Sequence, residues 1–374
     1  MVGVRVSGAV RVRVPLRRPM VSVHGSWPVC DAWLIRLVDD AGRSGLGEAT
    51  LGPFAAAAEQ SALDALVRAL VAGDGAGLAL PGAGEATEPV AAAVRSAVEG
   101  ARLDLATVRG EVEPGRSSVT VNALVGAESL PAAVAAARSA VAAGFGTLKL
   151  KGGGERSSEE LVERLVAIRA AVGPRVGLRL DVNGAWSEAV ASERLRAIDD
   201  ARVDLGYLEQ PVAAGPIART AAFLAELRTV SGGRVPIAAD ESVTSLAAAQ
   251  TLIASRAVDA LVVKPARVGG PAAALAIAAD AARAGISVTI ATLLETGVGL
   301  LTASAIAARL GPGDAAHGLG TGSLLATDLV HGLTVPVGGC VRAPGGADGW
   351  LGVADRLDRA AVERAAVARI GAWA

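Results

Sequence analysis

The chain is 374 residues long, with 36 lysines and arginines against 37 aspartates and glutamates and a formal net charge of -1. Its residues are 52% hydrophobic and 20% charged, a globular balance, and the length suffices for one large or two modest domains. No basic stripe with interleaved aromatics occurs, and no uncharged apolar run reaches the roughly 18 residues of a membrane span, so neither nucleic acid nor a membrane is expected as a partner.

Aromatics are only 2%, while the Ala-rich runs keep helical spacing with charges between them. The first residues carry Arg5 and lack an apolar core, which argues against a secretory signal and for a cytoplasmic setting. Cys30 and Cys340 are isolated and make no metal motif, and a disulfide between them stays open.

In chain order, the alternation of Val4, Val6, Val10, Val12 and Val14 predicts a strand over 3–14, ended by Pro15. A loop over 17–28 comes next, holding Met20, His24 and Trp27. Strands are predicted over 31–38 and 45–50, and helices near 55–72 and 86–108 with a Gly-rich connection between them. This opening is an antiparallel α+β unit. From Ser118 the rhythm changes. Short β-branched runs near 119–125, 147–151, 176–182, 205–209, 236–239, 260–264, 287–292 and 316–319 alternate with helical segments. Those helices fall near 130–144, 157–172, 187–200, 214–230, 245–256, 270–284 and 297–309. The spacing suits a parallel (β/α) barrel, although a doubly wound sheet has the same rhythm. The end of the chain, from Val335, reads as Gly/Pro-rich coil and a final helix packing back on the opening unit.

The chemical signal starts at Thr147-Leu148-Lys149-Leu150-Lys151. Side chains two apart on a strand share a side, so the two ammonium groups disfavour each other's charge and one is expected to titrate low. A bland alternative is a solvated strand edge. The ends of the later strands favour chemistry. Asp181, Glu209 and Asp240 close three consecutive predicted strands, and Lys264 closes the next. Either aspartate could equally cap a helix, but Glu is a poor cap and Pro211 lies close after Glu209. Three carboxylates on one point need a cation, and an oxygen-only set suits Mg²⁺, with Mn²⁺ as the second choice. Such an ion can hold a substrate carboxylate and stabilise the enediolate left when its α-proton departs. Lys151 and Lys264, on predicted strands two and six, flank the ion for proton transfer on opposite faces.

These residues resemble the enolase superfamily, and within it the muconate-lactonising subgroup. The resemblance rests on the 17–28 loop, Gly47-Glu48-Ala49, Lys149-Leu150-Lys151, Asp181-Val182-Asn183, Glu209-Gln210-Pro211 and Asp240-Glu241-Ser242. It continues through the run from Lys264 to Gly270, Leu294-Glu295-Thr296-Gly297 and the run from His317 to Gly322. The family fold implied is α/β: a modified TIM barrel, (β/α)7β, over 116–334. An α+β capping domain with its lid loop would occupy 1–115, completed by the C-terminal segment 335–374.

The resemblance makes Asp181, Glu209 and Asp240 the metal ligands and Lys151 the general acid/base. Lys149 lowers the pKa of Lys151 and touches the substrate carboxylate, and Lys264 is the opposite base or counter-cation. Asn183 and Glu241 orient ligands and lysines. His24, Glu295 and Ser323 are expected to touch substrate. His317 is expected to be structural, His331 to lie on the surface, and Gly269-Gly270 to serve close strand-to-helix packing. No histidine lies at the end of the seventh predicted strand, where racemases and sugar-acid dehydratases of the superfamily usually carry one.

A small carboxylate is the implied substrate, and homo-oligomers are common among such barrels. The implied reaction is o-succinylbenzoate synthase-type dehydration in menaquinone biosynthesis. N-Succinylamino acid racemisation, dipeptide epimerisation and muconate cycloisomerisation are the alternatives. Dipeptide epimerases resemble one another in an Asp-x-Asp near strand eight, and Gly320-Thr321-Gly322-Ser323 lacks it. Two other classes are separable by experiment. A metal-free Schiff-base aldolase keeps its activity in EDTA and is trapped by borohydride. A non-catalytic binding protein exchanges no α-proton.

Overall fold

The computed structural model describes residues 3–22, 25–53, 55–73, 88–113, 115–126, 129–311, 316–332, 334–344 and 352–373. His24 and most of the Gly-rich 72–84 connection lie outside the described residues. The opening unit is an antiparallel sheet of order β13-β1-β2-β3, built from β1 (Val4–Ser22), β2 (Gly25–Asp39), β3 (Ser44–Ala49) and the late strand β13 (Ala366–Gly371). Helices α1 (Ala57–Ala72) and α2 (Glu88–Val108) cover one face. The period-two pattern decides which residues meet them. Trp33, Ile35 and Leu37 join Leu63, Val67 and Ala97, whereas Ala32 and Leu34 join Leu294, Val298 and Leu301. The sheet is therefore buried on both faces.

Close approach fixes Gly45 and Gly47 on β3. A Cβ at Gly47 would stand 1.8 Å from the Ala97 carbonyl, and one at Gly45 would stand 2.1 Å from that of Ala101. Only glycine lets α2 lie this tightly on the strand.

Two expectations for this unit change. Pro15 does not end the first strand: β1 continues to Ser22, and the two arms of the 17–28 loop pair as a hairpin, with Met20 opposite Trp27 and Ser22 opposite Gly25. Proline has no N–H to donate, and the ladder absorbs it as a register irregularity between Pro15 and Met20. The chain end also adds a strand, because α11 (Arg359–Ala365) leads straight into β13 on the free edge of β1. A buried carboxylate secures the return: Asp104 accepts from Leu46 N at 2.8 Å and from Val353 N at 2.6 Å.

The second unit is a seven-stranded parallel sheet in chain order. Its strands are β5 (Ala123–Val125), β6 (Thr147–Lys151), β7 (Gly177–Asp181), β8 (Leu205–Glu209), β9 (Ile237–Ala239), β10 (Ala260–Val263) and β11 (Ser287–Ile290). The connecting helices are α3 (Leu130–Ala142), α4 (Ser158–Val172), α5 (Glu188–Asp200), α6 (Ile217–Val230), α7 (Leu246–Ala254), the single turn α8 (Pro265–Val268), α9 (Pro271–Arg283) and α10 (Gly297–Ala307). Ser157, Ser187 and Ser245 cap α4, α5 and α7 by accepting an N–H of the first turn.

The predicted strand over 119–125 divides. β4 (Ser118–Thr120) pairs antiparallel with β12 (Cys340–Arg342), and only β5 joins the parallel sheet. The eighth predicted strand, 316–319, shortens to two bridges, His317 to Val121 and Gly318 to Ala291. Those bridges join the two ends of the sheet, so the sheet closes as a barrel and the doubly wound alternative falls. His317 is buried in this seam, where Nδ1 accepts from Ile290 N at 3.1 Å. Its pKa is lowered to about 4, by burial first and then by Arg116 and Arg179. His331 is exposed. Both cysteines are free thiols. No helix among the described residues is long and apolar enough to cross a membrane.

Candidate active site

Register brings the polar strand ends together. Lys151 pairs across β6 and β7 with Asp181, and Asp181 pairs across β7 and β8 with Glu209. Asp240 follows β9 by one residue and Lys264 follows β10 by one. All five stand at the C-terminal mouth of the barrel, the end at which parallel barrels keep their chemistry.

The row is laced by ion pairs. Lys149 Nζ lies 2.7 Å from Glu209 Oε1 and 2.9 Å from Asp181 Oδ2. Lys151 Nζ donates to Asp181 Oδ2 at 2.6 Å and to Asn183 Oδ1 at 2.7 Å. On the far side, Lys264 Nζ donates to Asp240 Oδ2 at 2.6 Å. Arg267 Nη1 lies 2.9 Å from Asp240 Oδ1. The carboxylates are fully buried and the lysines only part-exposed, so these pairs act with little solvent screening.

Electrostatics separate the three acids. Burial raises Asp181, but Lys149 and Lys151 outweigh it and bring its pKa to about 2. Asp240 is likewise held far below the carboxylate range, because Lys264, Arg267 and Lys149 overcome its burial. Glu209 goes the other way, to about 8, since burial and the Asp181 charge exceed the pull of Lys149. Lys149 itself is raised: burial lowers it, and Asp181, Glu209 and Asp240 more than compensate. Its nearest carboxylates, not the neighbouring lysine, govern its charge.

The three acids were expected to converge on one point. Among the described residues, no three acidic, histidine or cysteine side chains group closely enough to ligate one ion, and Lys149 stands between Asp181 and Glu209. The donor set nevertheless fits a divalent oxygen-seeking cation. Glu209 Oε2 is buried with no hydrogen-bond partner, and the rest of the row offers only carboxylate oxygens.

The flanking residues sort clearly. Asn183 takes a left-handed backbone (φ 48) and donates through Nδ2 to Glu241 Oε1 at 3.1 Å, so it links Lys151 to Glu241. Glu295 is buried but outside the row, beside Glu48, and its pKa is raised to about 8 by burial and then by the Glu48 charge. Ser323 is exposed on a 3-10 turn (Gly320–Leu324), and its hydroxyl bonds back to Gly320 O at 2.8 Å. Among the described contacts none ties it to the lysines. Gly269 and Gly270 do serve close packing, but against the capping helix: Cβ atoms there would meet Arg95 at 2.8 Å and Glu99 at 2.7 Å.

Sequence reasoning missed two residues. Arg267, three positions after Lys264, is the second cation on Asp240. Gln210 is fully bonded: Oε1 accepts from Asp240 N at 3.0 Å and Ser242 N at 3.1 Å, and Nε2 donates to Val212 O and Ser242 Oγ at 2.8 Å each. This amide fixes the turn that carries Asp240. A Gln set between a strand-end Glu and a Pro was the available signal.

A family model described as Enolase C-terminal domain-like matches residues 132–353. An o-succinylbenzoate synthase from Thermobifida fusca is 38% identical over 228 residues, which are 60% of this chain and 67% of that protein. Among solved structures, a probable mandelate racemase from Alicyclobacillus acidocaldarius superposes with a TM-score of 0.79 at 28% identity, covering 98% of both chains. A dipeptide epimerase from Cytophaga hutchinsonii, complexed with Mg and a D-Ala-L-Val dipeptide, shares the fold at 23% identity with a TM-score of 0.80 over 99% of both chains. With the family match running over more than half of the chain and the lysine–carboxylate row at the barrel mouth, this chain belongs to the Enolase C-terminal domain-like family of the enolase superfamily.

Proposed function

We propose that this enzyme removes a proton α to a carboxylate, and that its reaction is dehydration of the o-succinylbenzoate synthase type. The observation that carries the reading is the pair of lysines on either flank of one acidic row, Lys151 on Asp181 and Lys264 on Asp240. Similarity to the Thermobifida fusca enzyme supports dehydration over the other reactions of the superfamily.

In this reading Asp181, Glu209 and Asp240 would hold Mg²⁺, and the ion supplies positive charge where the substrate carboxylate gains electron density. Lys151 as the free amine takes the α-proton, then returns it to the departing hydroxyl, which leaves as water. Asn183 holds the Lys151 nitrogen through its Oδ1, and Glu241 holds Asn183 in turn. Lys149 keeps Asp181 and Glu209 in register and offers its charge to the substrate carboxylate. Lys264 faces the other side of the substrate as a cation. With Lys151 as the free amine, the formal charges of Lys149, Lys264 and Arg267 fall one short of those of Asp181, Glu209, Asp240 and Glu241, so a bound divalent ion leaves the mouth positive by one. An anionic substrate suits that balance. Glu295 is assigned to the substrate's periphery. The same reading divides the chain into a capping unit over 1–115, a catalytic barrel over 116–334 and a completing segment over 335–374, with β13 on the edge of β1 as support.

Racemisation of an N-succinylamino acid is the second reading. Lys264 favours it, since a second lysine can protonate the opposite face of the same carbon. Proton NMR in D₂O separates the two. The hydrated precursor of o-succinylbenzoate should lose water, while N-succinylamino acids keep their α-protons. Deuterium entering the amino acids with no dehydration would overturn the first reading in favour of the second.

A further inference from the structure

Leu294 is a branched residue in the left-handed region (φ 81), immediately before Glu295. Such a backbone persists only where the surroundings dictate it. Here the capping sheet reaches across to do so. Cys30 on β2 is buried, and its Sγ donates to Leu294 O at 3.0 Å. Glu48 on β3 is buried too; Oε1 accepts from Thr296 N at 2.9 Å, and Oε2 accepts from Thr296 Oγ1 at 2.6 Å and Gly299 N at 2.9 Å. The start of α10 is thus capped from outside. Asp328 takes Gly297 N at 2.9 Å, Thr296 Oγ1 takes Val298 N at 3.3 Å, and Glu48 takes Gly299 N.

Glu295 sits between the two anchored neighbours. Its side chain lies over Gly299, where a Cβ would stand 2.7 Å from Glu295 Cβ and Cγ, and its Oε2 is buried without a partner. A carboxyl held this way gets its direction from the backbone on either side of it. We infer that Cys30 and Glu48 are positioning residues: they clamp Leu294 and Thr296 so that the Glu295 carboxyl keeps one orientation at the end of the seventh barrel strand. The capping unit thereby sets a group at the edge of the substrate site without touching substrate. The catalytic consequence rests on the proposed reading of the barrel mouth; the conformational claim does not.

The test has two arms on the full chain. First, a crystal structure of the Cys30→Ala, Glu48→Gln double variant should show Leu294 out of the left-handed region and the Glu295 carboxyl redirected. Leu294 and Glu295 unmoved would overturn the clamp. Second, kinetics are read on whichever carboxylate turns over. Glu48→Gln should lower kcat by about 10–100-fold, as for a misplaced group, with KM within about twofold. In a Glu295→Gln background the same change should cost less than about twofold, the non-additivity of residues that act as one unit. Additive losses would overturn it. Leu294→Gly should recover activity in a Cys30→Ala background, because glycine holds this backbone without a clamp. A thiol needed only for packing would not be rescued in that way. If Glu48→Gln fails to fold, Cys30→Ala and its glycine rescue carry the kinetic arm. If no carboxylate turns over, the proposed reaction fails and the crystal structure still decides the clamp.

Discussion

Two groups of buried carboxylates sit a short way apart and behave oppositely. At the barrel mouth Asp181 and Asp240 lie among ammonium and guanidinium groups; Asp181 is brought to about 2 and Asp240 is held far below the carboxylate range. At the junctions of the cap with the barrel and with the returning chain end, Glu48 and Asp104 are raised to about 7 and Glu295 to about 8. Burial is nearly complete in both places, so it cannot be the cause of the difference. Partner chemistry is. The mouth acids face full positive charges, whereas Glu48 and Asp104 are satisfied by backbone N–H dipoles and Glu295 has the Glu48 charge beside it. Dipoles stabilise an anion less than cations do, and the desolvation penalty wins. Glu209 sharpens the lesson. It shares Lys149 with Asp181, receives less than a full counter-charge, and rises to about 8. The mouth holds Asp181 and Asp240 ionised beside cations, and the junctions hold the cap to its neighbours.

Breaking the mouth should have the largest effect. Lys151→Ala should lower turnover about 10²–10⁴-fold, the usual worth of a general acid/base, as read by product formation in D₂O. Chelation comes next: EDTA should abolish α-proton transfer and Mg²⁺ should restore it, whereas undiminished exchange in EDTA would remove the metal from the reading. Lys149→Met should cost about 3–5 kcal/mol of stability in chelated protein, since it leaves Asp181 and Glu209 buried with their charges less compensated. Urea unfolding measures that loss.

The junction should answer to pH instead. Glu48 and Asp104 have folded pKa values raised above their unfolded ones, so their stabilisation is complete below the unfolded values and is lost as pH rises through about 7. The unfolding free energy read from urea titrations should therefore fall between about pH 5 and 8, by roughly 1–3 kcal/mol for each group. Asp104→Asn should flatten the slope, and an unchanged slope would place the titration elsewhere. The smallest effect is expected at the surface. Arg219 and Glu188 pair at 3.2 Å with 77% and 52% of their side chains exposed, and Arg219→Ala should change stability by less than about 0.5 kcal/mol.

Much of the barrel was legible because each strand is a short apolar run between helical segments and several of its helices begin on a capping serine. β6, β7 and β8 fall within the predicted runs, and so do the residues at their ends. Less could be read where the chain pairs with distant segments. The 316–319 run was read as the eighth strand, but that it shortens to two bridges joining Val121 to Ala291 depends on distant partners. β13 looked like the tail of a helix until β1 offered it an edge. The hairpin over 17–28 was hidden by Pro15, a residue that ends most strands but here falls at an irregularity.

The site divides in the same way. Lysines two apart on a strand, and acids at successive strand ends, are local patterns with a fixed geometric meaning, so the chemistry of the mouth could be written from residue order. Which ammonium meets which carboxylate was not local. Lys149 bridges two strands, Arg267 reaches back to Asp240, and Cys30 and Glu48 come from a separate sheet to hold Leu294 and Thr296. Sequence by itself determined the elements, the barrel rhythm and the roster of acids and lysines, because backbone period and residue chemistry act over a few positions. Tertiary structure alone decided closure, partners and the charge state of each buried acid, because these depend on groups brought within a few ångströms from far along the chain.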